Sequence, residues 1–142
     1  MAMTMHVNIV SAEESIFSGT AEHLFAPAAM GEVGIWPRHT PLLSQLRPGE
    51  VRVKPEGSGE TLHFFVSGGV LEVQPHVVTV LADSAIRAKD LDEAEAQAAK
   101  ERAEQLMADR KADIDFARAQ AELVEAEARL RMIRNLRQGR HG

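Results

Sequence analysis

The sequence predicts an all-β N-terminal sandwich followed by an α-helical hairpin, and three observations predict it. All six prolines and eight of the ten glycines lie before residue 76, and no glycine occurs between Gly69 and Gly139. Before that change, short apolar-alternating runs end at turn residues roughly every ten positions, which is the pattern of a strand meander. After it, apolar residues recur at helical and heptad spacing. The break in composition falls at 83–90 and divides the chain into a β unit, residues 1–86, and a helical unit, residues 87–142.

The β unit centres on residues 31–49, GEVGIWPRHTPLLSQLRPG, where three glycines and three prolines punctuate the chain. Glycine permits positive φ, and proline fixes φ and withdraws a ladder donor, so this stretch cannot be a helix interior. It reads as two or three very short strands joined by tight corners, with Val33, Ile35, Trp36, Leu42, Leu43 and Leu46 turned inwards.

Taken in order, Met5, Val7 and Ile9 alternate with His6, Asn8 and Val10 as a first strand. Ile16-Phe17 forms a second, ending at Ser18-Gly19, and residues 21–26 a third, stopping at Pro27. Val51 and Val53 alternate with Arg52 and Lys54 up to the loop at 55–59. Residues 61–66 then turn at Ser67-Gly68-Gly69 into 70–73, and Gln74-Pro75-His76 leads to 77–81. The total is about eight to ten short strands. Phe17, Phe25, Trp36, Phe64 and Phe65, five of the six aromatics, place the larger core here. About 80 residues suffice, marginally, for independent folding.

From Ala85 onwards the period becomes helical. Asp90-Leu91-Asp92-Glu93 offers an N-cap aspartate with a glutamate three residues later. Ala96, Ala99, Ala103 and Leu106 share one face of a first helix. The polar stretch 109–113 reads as a turn, and Asp113 or Asp115 caps a second helix. There Phe116, Leu123 and Leu130 repeat every seven residues, with Ala119, Ala126 and Ile133 three after each. Such a seam is poor in large side chains. A buried methyl is worth ~0.8 kcal/mol against ~1.5–3 kcal/mol for a buried leucine. The sequence therefore predicts a weakly held helical pair able to rearrange.

Charge narrows the function classes. Residues 1–84 hold four Lys/Arg against nine Asp/Glu, and the remainder holds twelve of each, for a net −5. An acidic first unit argues against nucleic acid, because phosphate contacts need a basic face. Arg129, Arg131, Arg134, Arg137 and Arg140 crowd the C-terminal end without a single acid. They complement the negative end of a helix or suit an acidic protein surface. The absence of cysteine removes disulfides and thiolate metal sites. With no signal-peptide pattern at the N-terminus and no run of ~20 apolar residues, a soluble, cytosolic protein is expected.

Catalytic chemistry is not evident. His6, His23, His39, His63, His76 and His141 include no i, i+4 pair and no ligand-spaced carboxylate pair. His6, His23 and His63 lie in strand patterns as half-exposed side chains. No GxSxG, P-loop, GxGxxG or CxxC is present. Ser67-Gly68-Gly69 reads as a hairpin turn and not as an oxyanion hole. Neither a metal site nor an enzymatic activity of its own is expected.

Several blocks carry a family resemblance: VSAEE-x-I-F-SG from Val10, GEVGIWPRHTPLL from Gly31, LRPGEVRV from Leu46 and VSGGVLEVQPHVVTVLADSAIRAKDLD from Val66. In the helical half, AAKERAE, DIDFARA and ARLRMIRNLR continue it in order. Together they resemble the epsilon subunits of bacterial F-type ATP synthases across almost the whole chain. The resemblance implies a non-catalytic central-stalk subunit of a proton-translocating complex. The sandwich would bind the gamma subunit and rest on the c-ring loops. The loop around Gly31, Glu32 and Gly34, running on to His39, would face the c-ring. The helices would fold back or extend along gamma into the catalytic head of alpha and beta subunits and inhibit ATP hydrolysis. In the extended state Arg129, Arg131, Arg134 and Arg137 would meet the head. The implied location is the cytoplasmic face of the bacterial inner membrane.

Some relatives bind ATP through I/L-D-x-x-R-A at the start of the first helix. Here the window reads Leu91-Asp92-Glu93-Ala94-Glu95-Ala96, with Glu95 in place of the arginine. A carboxylate reverses the sign of a phosphate contact. Asp92, Arg102 and Arg129 remain as ATP contacts, so weak or absent ATP binding is expected and no cofactor is required. A nucleotide sensor and an unrelated adaptor built on the same architecture are the alternative readings. Glu95 speaks against the first and the ordered motif blocks against the second.

Overall fold

The computed structural model describes residues 3–109 and 113–139. Nine strands come first: β1 (Met5–Val10), β2 (Ser15–Ala28), β3 (Gly31–Ile35), β4 (Leu42–Leu46), β5 (Gly49–Pro55), β6 (Leu62–Val66), β7 (Gly69–Val73), β8 (Val77–Ala82) and β9 (Ala85–Arg87). A 3-10 turn (Ala88–Asp90) leads to α1 (Glu93–Asp109) and α2 (Asp113–Arg137). The chain divides into two compact units between Lys89 and Asp90.

Within the first unit the strands hydrogen-bond in the order β1-β8-β7-β4-β2-β5-β6-β9, with β3 on β2. β1 also pairs with β2, antiparallel, while it runs parallel to β8. The 14-residue β2 therefore belongs to both layers: its first half lies on β1 and its second half lies between β3 and β5. A register shift near Ala21 marks where it passes from one to the other. Val7, Ile9, Leu24, Ile35, Val51, Val53, Leu71 and Val80 are fully buried between the layers. Strict alternation along β1, β5 and β8 puts one apolar face inwards, as a half-buried strand demands.

Several local expectations are corrected. Gly19 and Pro27 do not interrupt the chain, since both lie inside β2. A Cβ at Gly19 would come within 3.2 Å of the Phe17 ring, a tight contact that glycine avoids. Pro27 sits opposite Glu32 near the strand end and uses only its carbonyl, which accepts the Arg47 N–H. Trp36 and Leu43 do not turn inwards but are 51% and 72% exposed. Their predecessors, Ile35 and Leu42, take the inward side, and the next residue of an extended chain faces the other way. Residues 85–87 form β9 on β6 and not the start of the helical region. Gly69, at φ +137°, is required by the turn into β7: a Cβ there would stand 2.0 Å from the Leu81 carbonyl oxygen.

In the second unit Asp92 caps α1, its Oδ1 accepting the Glu95 N–H at 3.2 Å and its carbonyl accepting the Ala96 N–H. The buried residues of α1 are Ala96 and Ala103. Leu106, expected on the same apolar face, is exposed near the helix end. On α2 the alanines Ala119 and Ala126 are buried, joined by Ala128 and Met132, while Leu123, Leu130 and Ile133 are half-buried. Gly139, at φ +70°, ends the second helix with its N–H bonded to the Leu136 carbonyl. The Arg137 guanidinium meets the Glu93 carboxylate, an exposed pair between the start of the first helix and the end of the second. Of the turn expected at 109–113, Asp109 and Asp113 are the last and first residues of the two helices, and residues 110–112, the side chains of Asp113 and Asp115, and Arg140 and His141 lie outside the described residues.

Candidate functional site

Two surfaces of the sandwich and one of the helical pair carry the distinctive exposed side chains. The first is the outer side of β3, β2, β5 and β6. Registers place Gly34 opposite Phe25, Phe25 opposite Arg52 and Arg52 opposite His63, which is one row across four strands. The Arg52 guanidinium stands 4.6 Å above the Phe25 ring centroid, inside cation–π range. It also forks onto Glu32, with Nη1–Oε2 at 2.9 Å and Nη2–Oε1 at 3.4 Å. Glu50 lies 3.5 Å away on the other side and is bonded in turn to His63 Nδ1 at 3.1 Å. Trp36 packs edge-on against Phe25 and tilted over His23. Gly34 is glycine because a Cβ would stand 2.7 Å from the Trp36 ring and 2.8 Å from the Phe25 ring.

Gly31 and Glu32 begin β3 at the β2–β3 turn, whose tip is Met30, 99% exposed. Gly34 is three residues along the same strand. His39 is not with them. It follows the far end of β3, where its Nδ1 lies 2.7 Å from the Thr40 carbonyl oxygen, and at ~3.3 Å rise per strand residue β3 alone separates it from the turn by more than 10 Å.

The second surface is the outer side of β4, β7, β8 and β1. Leu43, Val77 and Leu81 stand exposed there among Glu72 and Thr79. Beside them His6, Asn8 and Ser18 form a closed set of hydrogen bonds at 2.9–3.1 Å. Sequence reasoning missed this surface. Its signal was a pair of adjacent apolar residues, Leu42-Leu43, Val77-Val78 and Val80-Leu81, of which alternation must turn one outwards: Leu43, Val77 and Leu81.

On the helices, Asp92 is engaged in capping and Arg102 lies in an open groove of about 630 Å³ lined also by Ala98, Glu101, Glu104, Gln105 and Ala108. Two carboxylates therefore flank the one cation of that groove. Arg129 is half-buried on the other helix, its Nε buried without a hydrogen-bond partner among the described residues. Arg131, Arg134 and Arg137 are exposed, the last paired with Glu93. Among the described residues no group of three or more His, Cys, Asp or Glu could hold a metal ion. None of the described helices is long and apolar enough to cross a membrane.

An architecture of one β-sandwich and one helical pair, with its distinctive side chains on outer faces, defines a subunit that works through contacts. The sequence matches the ATP synthase delta/epsilon chain β-sandwich domain over residues 4–88 and the long α-helix domain of the same chain over residues 89–134. It is 69% identical over 137 residues to the ATP synthase epsilon chain of Thioalkalivibrio sulfidiphilus, covering 96% of this chain and 97% of that one. Identity is 66% over 138 residues with the epsilon chain of Nitrosococcus oceani, at the same coverages. The chain belongs to the ATP synthase delta/epsilon chain family, a non-catalytic component of that complex. The fold is shared with a chain of the Euglena gracilis mitochondrial ATP synthase at TM-score 0.70 and 22% identity, covering 97% of this chain and 82% of that one. A chain of the Tetrahymena thermophila central stalk and c-ring matches at TM-score 0.63 and 13% identity, covering 92% and 97%.

Proposed function

We propose that this chain is the central-stalk subunit that joins the catalytic head of a proton-translocating ATP synthase to its c-ring, and that its helices restrain ATP hydrolysis. The observation that carries the reading is the contrast between a sandwich with a leucine, isoleucine and valine core and a helical pair whose buried residues are mostly alanine. The sandwich is the anchor. Its exposed Leu43, Val77 and Leu81 face suits the gamma subunit, and the β2–β3 turn with Gly31 and Glu32 suits the c-ring. The helical pair is the movable part, with Arg131, Arg134 and Arg137 presented to the alpha and beta subunits when extended. A subunit held in this way works at the cytoplasmic face of the bacterial inner membrane. The relatives of like fold come from an F1/c-ring assembly and from a central stalk with its c-ring, which supports this placement.

The test compares complexes carrying the full chain with complexes carrying a chain truncated after Ala88. Faster ATP hydrolysis in an assembled, truncated complex is the expected result, and unchanged hydrolysis removes the inhibitory role. ATP itself binds weakly or not at all, because Asp92 is committed to capping, Glu95 stands at the motif arginine position and Glu101 and Glu104 flank Arg102. Calorimetric titration of the free protein with ATP checks this, and micromolar affinity refutes it.

A further inference from the structure

The side chains around the β2–β3 turn are not equally free to meet a partner. Glu32 is 51% exposed, yet both its carboxylate oxygens face the fork of Arg52. Arg52 is only 15% exposed and is held from three directions: the Glu32 fork, the Glu50 carboxylate and the Phe25 ring. Phe25 is in turn wedged by Trp36, through the space that Gly34 leaves. A planar guanidinium fixed at its fork and its face has little rotamer freedom left, which a lysine could not reproduce. The opposite flank of the turn is strapped as well. Ala29 N–H donates to the Gln45 carbonyl, Arg47 N–H to the Pro27 carbonyl and Arg47 Nε to the Ala28 carbonyl. Between these two restraints Met30 projects almost fully into water.

We infer that Arg52 is a positioning residue for the β2–β3 hairpin, and that Met30, not the Glu32 carboxylate, is the group the hairpin presents to the c-ring. This rests on the reading that the hairpin faces the ring. A lone exposed methionine is ordinary on a protein surface. Here the backbone on both sides of it is pinned, so the side chain springs from a fixed place. Pre-organisation of that kind lowers the ordering cost of docking. Methionine, unbranched and polarizable, adapts its shape to a surface better than other apolar side chains. Glu32 then acts inside the chain, as the outer end of the polar row that continues through Arg52 and Glu50 to the His63 ring.

The test uses full-length chains returned to membrane vesicles whose ATP synthase has been stripped of this subunit. The readout is the concentration giving half-maximal ATP-driven proton pumping, measured for Arg52→Gln, Glu32→Gln, the double variant and Met30→Asp. The thermal midpoint of each free protein is recorded alongside. The expected result is the same loss, about three- to tenfold, for both single variants and the double, with midpoints essentially unmoved. Met30→Asp is expected to lose more. A larger loss for Glu32→Gln than for Arg52→Gln, with the double equal to the sum, makes Glu32 a direct contact and overturns the inference. Silent Arg52 and Glu32 variants beside an impaired Met30→Asp overturn it too, while the placement of the hairpin survives. If Met30→Asp is also silent, the hairpin does not face the ring and the placement itself falls.

Discussion

The two units are built from different kinds of burial. In the sandwich, Leu24, Ile35, Leu71 and Phe64 interlock between layers tied by long-range strand pairing. In the helical pair Met132 is the only large side chain that is buried among the described residues, and alanines do most of the packing. Alanine has no side-chain rotamer to lose and lets helix axes approach closely, but it removes little apolar surface from water. Much of what holds the first helix is local: propensity, the Asp92 cap and acidic residues in the first turn. A structure that depends on local terms can leave its neighbour without melting. One that depends on interlocked layers cannot. On that difference rests the proposal that the sandwich anchors the subunit and the helical pair moves.

Two substitutions would break or sharpen that contrast. Leu71→Ala opens a cavity in the sandwich and is expected to cost about 2–5 kcal/mol, against about 1 kcal/mol for Ala126→Gly in the second helix. Denaturant unfolding followed by circular dichroism measures both, and equal costs would erase the distinction. A smaller effect belongs to the cap. Asp92→Ala leaves the Glu95 N–H without its carboxylate and is expected to cost ~1 kcal/mol, confined to the helical unit. Amide exchange should quicken through the first helix while the strands stay protected. Faster exchange in the strands as well would show that the units are not energetically separate.

Most strands and both helices were legible because turn residues and periodicity are local signals. The failures have one origin. Gly19 and Pro27 read as breaks because the ladder that tolerates them comes from distant strands, β1 and β3. β9 has three residues, too few to show a period, and exists only as a partner for β6. Trp36 was assigned to the core by its size, although Ile35 beside it already fixed which way it must face. Glu32 was picked out only through the family resemblance, by its position in the loop at Gly31. That Arg52 claims it could not be read from the sequence, since the two are twenty residues apart and meet only through the register of two intervening strand pairs.

Trp36 has a consequence of a different order. It is the single tryptophan of a chain without tyrosine, so the near-ultraviolet emission of the whole protein comes from one indole. That indole sits half in water, touching His23 and Phe25 and one ring away from Arg52. The helical unit is dark at that wavelength. Any change in colour or intensity seen in solution is therefore a message from one corner of the anchor, already addressed to a known position and needing no attached dye.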